Sequence, residues 1–436
     1  MIHRVRRWTR WSSIVLAAAL VPLLTTPAHA QKTMKIGIVA FLSGAAAGPF
    51  GIPGRNGAEV LVDAINAGTL PAPYNTKGIG GASIEPVYLD ENGPTTKVVE
   101  DFRNLVQRQN VNAVVGYISS GSCLAITPVA EELKMLTVFF DCGTPRIFED
   151  ASPKYVFRTA AHSTMDNVAA VRYISAKFPN SKSYAGINQN YAWGQDSWRD
   201  FKSSMDILMP AAKPSTEQWP KLFAGQYSSE ISALMVSSPD VVHSSFWDGD
   251  LESFVFQATA RGLMGRSKVV LTAAEANMFR FGAKLPDGVI IGARGPYGVF
   301  ARESELNTWF QKAYSDRYGT PPVYPSYQMA NAFLGLKISY DKAAAKTGGA
   351  MPTHEQAIAN FEHLKYEGFG TQVNMALGKG HQAITETAYG QYKFDKSTGT
   401  ATVTDVIHFA AECVNPPEGT KSEDWVKGGM KGAKCK

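Results

Sequence analysis

Two short polar stretches hold the side chains best suited to binding a charged group. The first is Ser119-Ser120-Gly121-Ser122 and the second is Asp141-Cys142-Gly143-Thr144. Each ends a short apolar run, 111–118 and 136–140, of the kind that forms a buried strand. Between them, 124–133 carries Leu124, Ile126 and Leu133 on one helical face, with Glu131 and Glu132 outside. The stretch 111–145 therefore predicts strand, loop, helix, strand, loop. In a parallel α/β sheet both loops fall at the carboxyl edge, where ligands bind. The first loop also opens a helix, whose unpaired N–H groups attract an anion. Hydroxyls and helix amides side by side are the chemistry of a carboxylate cradle.

The surrounding elements must hold those loops in place. Strand patterns at 35–42 and 84–89 alternate with helical patterns at 57–65 and 95–107. With 111–145 they make four βα steps, which predict a parallel, doubly wound sheet. A short extended piece at 155–159 contains Arg158, and then the pattern restarts. Strands are expected at 183–188, 239–246, 268–273 and 289–293, and helices at 167–178, 194–209, 229–236 and 250–261. A Pro- and Lys-containing loop is expected after Pro210. Beyond 300 the reading is helical, at 303–318, 327–345 and 355–362, without strands. Alternating runs at 389–394 and 400–409 then predict a hairpin around 395–399. The late helices need a sheet to cover, and the first sheet is the one available. A chain that returns in this way crosses between two lobes several times, leaving a hinge and a cleft.

Composition and charge narrow the function classes. The chain has 436 residues, 44% hydrophobic and 19% charged, enough for two or three domains with cores. Its formal net charge of +5 is carried largely by Arg4, Arg6, Arg7 and Arg10. These precede an apolar run at 14–24 and the tripeptide Ala28-His29-Ala30, the pattern of an export signal cleaved after Ala30. The apolar run contains Pro22 and is too short for a comfortable membrane span. The Arg6-Arg7 pair lacks the other features of a twin-arginine signal, so general secretion is expected. Removing four arginines and no acid leaves 39 basic against 38 acidic residues, which removes the case for nucleic acid. Four cysteines in an exported chain favour disulfides. Three pairings are open; nearest-neighbour pairing, Cys123–Cys142 and Cys413–Cys435, is the expected one. No C-x-x-C pair occurs, so neither a zinc site nor a redox dithiol is expected.

Enzyme motifs are absent. No G-x-S-x-G elbow or P-loop is present. Gly78-Ile79-Gly80-Gly81 lacks the third glycine of a dinucleotide fingerprint, and His354-Glu355 is followed by Ile358 where a zinc protease needs histidine. A hydrolase could be built here only from distant residues, such as Ser120, His243 and Asp141. The expectation is no catalytic residue, no metal and no cofactor.

Three segments, taken in order, carry a family likeness. They are the strand at 35–42 with SGAAAGPFG and NGAEVLVDAINAG, then GYISSGS with FFDCGTP, then Ala274-Glu275 with YPSYQMANAFLGLKISYDKAA. Together they resemble the periplasmic substrate-binding proteins of branched-chain amino-acid ABC transporters, the leucine/isoleucine/valine-binding class. The ending GKGHQAITETAYGQYKFDKSTGTATV is similar to the hairpin of that family's amide- and urea-type branch. The resemblance implies a two-lobed type I fold, each lobe a parallel doubly wound sheet, with three crossings between lobes. It divides the chain into a signal at 1–30, lobe 1 at 31–159 plus 294–378, lobe 2 at 160–293 plus 379–412, and a tail at 413–436.

It implies site residues too. Ser120, with Ser119 and Ser122 as neighbours, would take a ligand carboxylate. The carbonyl of Cys142, where the family usually has a small residue, and Thr144 would line the same wall. Glu275 would pair with a ligand ammonium. Phe50, Tyr191 (with Trp193 competing) and Trp247 (with Phe246 competing) would supply aromatic walls. The implied function is an exported, monomeric solute-binding protein of the periplasm. It would capture an amino acid or related carboxylate or amide and deliver it to an ABC permease with its ATPase subunits. The alternatives are a ligand-sensing module for a separate receptor and an exported hydrolase.

Overall fold

The computed structural model describes residues 1–3, 32–348 and 350–435. The expected export signal and its cleavage after Ala30 lie outside the described residues. Residues 32 to 436 form one unit. Its first strands are β1 (Thr33–Ala40), β2 (Ser83–Asp90), β3 (Ala113–Gly116), β4 (Thr137–Phe139) and β5 (Val156–Arg158). β3, β4 and β5 are buried along their whole length, as strands covered on both faces must be. The chain then builds β6 (Ser183–Ile187), β7 (Lys213–Gln218), β8 (Val241–Ser244), β9 (Lys268–Leu271) and β10 (Ile290–Gly292). It returns with β11 (Lys365–Glu367), β12 (Gln372–Leu377) and β13 (Gln382–Ile384), and ends with β14 (Thr387–Asp395) and β15 (Thr400–Phe409).

These strands form two sheets, ordered β11-β12-β13-β5-β4-β3-β1-β2 and β15-β14-β10-β9-β8-β6-β7. The parallel part of each has the same order, β2-β1-β3-β4-β5 in one and β7-β6-β8-β9-β10 in the other. Helices cover both faces, so the architecture is the two-lobed, doubly wound α/β fold. The helix Tyr324–Lys346 lies along the helix Ile52–Ala67 of lobe 1, so the late helices do cover the first sheet. β14 and β15 form the expected antiparallel hairpin, on the edge of lobe 2.

Three expectations are corrected. The region after 300 has strands of its own, β11 to β13, which extend the first sheet. They are three to six residues long and interrupted by glycines, too short to show a period. β13 pairs with β12 and β5, so the last crossing falls between Ile384 and Thr387, not at 378/379. The segment after Pro210 contains β7, an edge strand reading KPSTEQ; an edge tolerates proline and polar residues.

Both nearest-neighbour disulfides are present, with Cα–Cα separations of 6.4 Å for Cys123–Cys142 and 4.7 Å for Cys413–Cys435. The tail has more to hold it than its Gly/Lys content suggests. Trp425 and Val426 are buried against lobe 2, and the Ser422 N–H donates to Glu149 of lobe 1 at 3.0 Å. Among the described residues no helix is long and apolar enough to cross a membrane.

Candidate ligand-binding site

In each sheet the chain winds outward in opposite directions from the gap between two strands, β1 and β3 in lobe 1 and β6 and β8 in lobe 2. Loops leaving the carboxyl ends of such strands diverge and open a crevice. β3 leads through 117–119 into the helix Ser120–Leu133, and β4 leads into 140–145. Opposite them, β6 leads to Tyr191 and Trp193 at the start of the helix Ala192–Leu208. β8 leads to Trp247, ahead of the helix Asp248–Ala260. β10 runs into Arg294 at the second crossing.

Between these loops lies a narrow cavity of about 10 Å³, room for about one water molecule. Lobe 1 lines it with Phe50, Ile118, Ser120, Asp141 and Gly143; lobe 2 supplies Tyr191, Trp193, Trp247 and Ala273. Tyr324, which opens the long helix, and Arg294 complete it. Phe50 stands edge-on to Trp247 at 5.3 Å and to Tyr324 at 5.4 Å between ring centroids. The Trp193 indole N–H donates to the Ser245 carbonyl at 2.7 Å, which fixes the ring. A larger depression of about 720 Å³ lies elsewhere, around Arg302, Lys365 and Glu412. It has no aromatic wall, and we regard it as a surface groove.

Of the residues singled out in the sequence, Phe50, Ser120, Tyr191, its competitor Trp193, and Trp247 meet at the cavity. Ser119, Cys142, Thr144 and Glu275 do not line it. The Cys142 carbonyl accepts from Arg158 Nη1, and the same guanidinium holds the Thr144 carbonyl at 2.7 Å. The Thr144 hydroxyl donates across the lobes to Asp196 at 2.6 Å, and Arg146 joins the same carboxylate at 2.7 Å. Glu275 is buried behind the cavity wall, where its carboxylate accepts from the Tyr324 N–H at 2.7 Å. Burial pushes its pKa up to about 8 despite the N–H groups of Tyr324 and Val299.

The turn that leads into the helix at Ser120 already holds a carboxyl of the chain's own. The carboxylate of Glu91, at the end of β2, accepts from the N–H groups of Ile118 and Ser119 at 2.8 and 2.9 Å. Burial pushes Glu91 up to about 7, with those N–H groups pulling the other way. Ser120 Oγ accepts from the Thr144 N–H at 3.2 Å, which leaves its O–H proton for a ligand. His243 is remote from it in bonding terms: its Nε2 meets Asn167 at 2.7 Å and its ring stacks on Phe201. No hydrogen bond joins Ser120, His243 and Asp141 into a triad among the described residues.

Sequence reasoning missed Arg294 and Tyr324, and placed Asp141 only in the second polar loop and in the distant set with Ser120 and His243. Arg294 is buried, ion-paired to Asp141 and, at 3.2 Å, to Asp166, with its guanidinium carbon 4.5 Å from the Trp193 ring centre. Burial pushes Arg294 down from its ordinary value and Asp166 well up. A signal existed: Gly292-Ala293-Arg294-Gly295 places one cation between glycines at the end of a buried-type strand. Tyr117, Cys142, Asp248 and Arg294, all near the cavity, have left-handed backbone with φ of 69°, 59°, 58° and 49°. Such strain persists where surrounding packing over-determines it, as at ligand clamps.

A two-lobed α/β fold with its cavity between the lobes defines a binding protein of the cleft-closing class. The comparisons name the family. A model of the periplasmic binding protein family matches residues 33–399, and the chain belongs to that family of solute-binding proteins. A search of curated proteins finds no match. Among solved structures, an ABC-transporter solute-binding protein from R. palustris in complex with 4-hydroxybenzoate is similar with TM-score 0.75 and 18% identity, over 87% of this chain and 98% of that one. Another from R. palustris, in complex with benzoate, gives 0.72 and 19% over 86% and 96%. A leucine-binding protein from Thermotoga maritima gives 0.71 and 18% over 86% and 98%.

Proposed function

We propose that this protein captures a small aromatic carboxylate in the inter-lobe cleft and hands it to an ABC permease and its ATPase subunits. In this reading it is exported to the periplasm, acts as a monomer and catalyses nothing. The observation that carries the ligand class is the lining of the cavity. Five aromatic rings, Phe50, Tyr191, Trp193, Trp247 and Tyr324, enclose a small space with the Ser120 hydroxyl and the Arg294 guanidinium. A planar apolar body suits rings set edge-on, and a carboxylate suits an O–H and a buried cation. Glu275 lies behind the wall and does not line the cavity, so it offers no direct partner to an ammonium there. The similar structures with benzoate and 4-hydroxybenzoate point the same way.

Asp141 favours a second reading. Its carboxylate lines the cavity, and an amino acid could set its ammonium there while its carboxylate takes Arg294. A thermal-shift screen followed by calorimetry, with benzoate, 4-hydroxybenzoate, leucine and phenylalanine, separates the two. Ligand at 100 times its Kd stabilises the fold by about 2.7 kcal/mol. We expect the benzoates to raise the melting temperature and the amino acids to leave it unchanged. The reverse pattern establishes the amino-acid reading.

A further inference from the structure

One ring that does not line the cavity packs against a ring that does. Phe223 belongs to the loop between β7 and the helix Ser228–Ser237 of lobe 2. Its ring stands edge-on to Trp247 at 6.1 Å and reaches across the lobes to Phe41, edge-on at 6.3 Å. Phe41 follows β1 of lobe 1 and itself packs on Trp247 at 5.8 Å. Trp247 is thus held between Phe50 on the cavity side and the Phe41–Phe223 pair outside.

Two features of Phe223 run against ordinary packing. It is 44% exposed, so little of the usual gain from burying a phenylalanine is collected. Its backbone is left-handed, φ 60°, which a bulky residue adopts only under constraint. The constraint is visible. Buried Asp250 accepts from the Phe223 N–H at 2.7 Å and the Gly225 N–H at 3.2 Å, and Gln189 fixes that carboxylate at 2.8 Å. Three polar contacts hold one half-exposed ring in a strained conformation over the seam between the lobes. A residue placed only to fill space would relax to an unstrained loop.

We propose that Phe223 is the outer gate of the cleft. Its contact with Phe41 must break before the lobes part, so it sets how long a ligand stays. The Phe41–Phe223 pair forms only when the lobes meet, so its loss acts on release more than on capture. This rests on the reading of the cavity as a ligand site.

The test compares Phe223→Ala and Phe223→Tyr with the natural protein by stopped-flow, using 4-hydroxybenzoate and phenylalanine as probes. An aromatic pair of this kind corresponds to roughly a two- to tenfold change. Phe223→Ala is expected to speed release by that factor with the association rate nearly unchanged, while Phe223→Tyr keeps the natural rate. Equal release rates in all three overturn the gate. Hydrogen exchange of the ligand-free protein gives a readout that needs no ligand. Phe223→Ala is expected to accelerate exchange at 40–50 and 245–251, on the two sides of the seam; unchanged exchange there overturns the proposal. If neither probe binds the natural protein, the ligand class fails on its own, and the exchange result still decides the gate.

Discussion

Glu275 offers the sharpest test of how this site is built, because sequence and structure assign it different work. Its carboxylate sits behind Tyr324, accepts that residue's N–H, and is raised by burial from 4.5 to about 8. The folded protein therefore holds the Glu275 proton more tightly than the unfolded chain does. Below pH 4.5 both states are protonated and the contribution to stability is complete. It is lost as pH rises through about 8, and the full loss is on the order of 4–5 kcal/mol. Glu275→Gln keeps an acceptor for Tyr324 but cannot ionise. Its stability is expected to pull ahead of the natural protein's from pH 5 to pH 9, by several kcal/mol at the upper end. Glu275→Ala leaves the Tyr324 N–H unpaired and costs about 1–3 kcal/mol at low pH. Urea unfolding followed by circular dichroism at pH 5, 7 and 9 measures all three. Parallel pH curves for the natural protein and Glu275→Gln refute the buried, proton-holding carboxyl. A Glu275→Gln protein that is stable yet no longer binds an amino acid makes Glu275 a direct ammonium contact, against its placement here.

Other perturbations probe the closed cleft and the ties around it. A Cβ on Gly143 would stand 1.9 Å from the Trp193 ring across the lobes, so Gly143→Ala should prevent full closure. Overpacking of this kind costs about 1–3 kcal/mol, read as a five- to hundredfold loss of affinity by calorimetry, with ligand-free melting little changed. Glu91 and Glu149 are both raised by burial to about 7, so their contribution is complete below the ordinary carboxylate range and lost through pH 7. Melting temperature should therefore fall between pH 5.5 and 8.5, and Glu149→Gln should flatten that slope. Replacing Cys413 and Cys435 together by serine opens a loop with a sequence separation of 22, worth about 3 kcal/mol in urea unfolding. Ser120→Ala removes a hydroxyl proton from the cavity and should weaken an aromatic carboxylate by about 1.5–3 kcal/mol in calorimetry; it also leaves the Thr144 N–H unpaired, so ligand-free stability should fall by about 1–3 kcal/mol.

The alternation of buried strands and helices was enough to read two doubly wound units, because period and turn chemistry are local properties. The carboxyl-edge position of 117–120 and 140–145 followed from the same pattern, and five of the singled-out residues meet at the cavity: Phe50, Ser120, Tyr191, Trp193 and Trp247. β7 and β11–β13 were hidden, since polar or three-residue edge strands leave no periodic trace. The polar wiring was hidden for a different reason. Arg158 takes the Cys142 carbonyl from a neighbouring strand, Glu91 takes the N–H groups of Ile118 and Ser119 from the end of β2, and Arg294 reaches Asp141 across 153 positions of chain. A sequence lists which groups need partners, but desolvation and distance choose the partner, and both exist only once the lobes have closed. Local pattern thus determined that there would be a cleft and which loops would face it. Tertiary structure decided which side chains remain available there for a ligand.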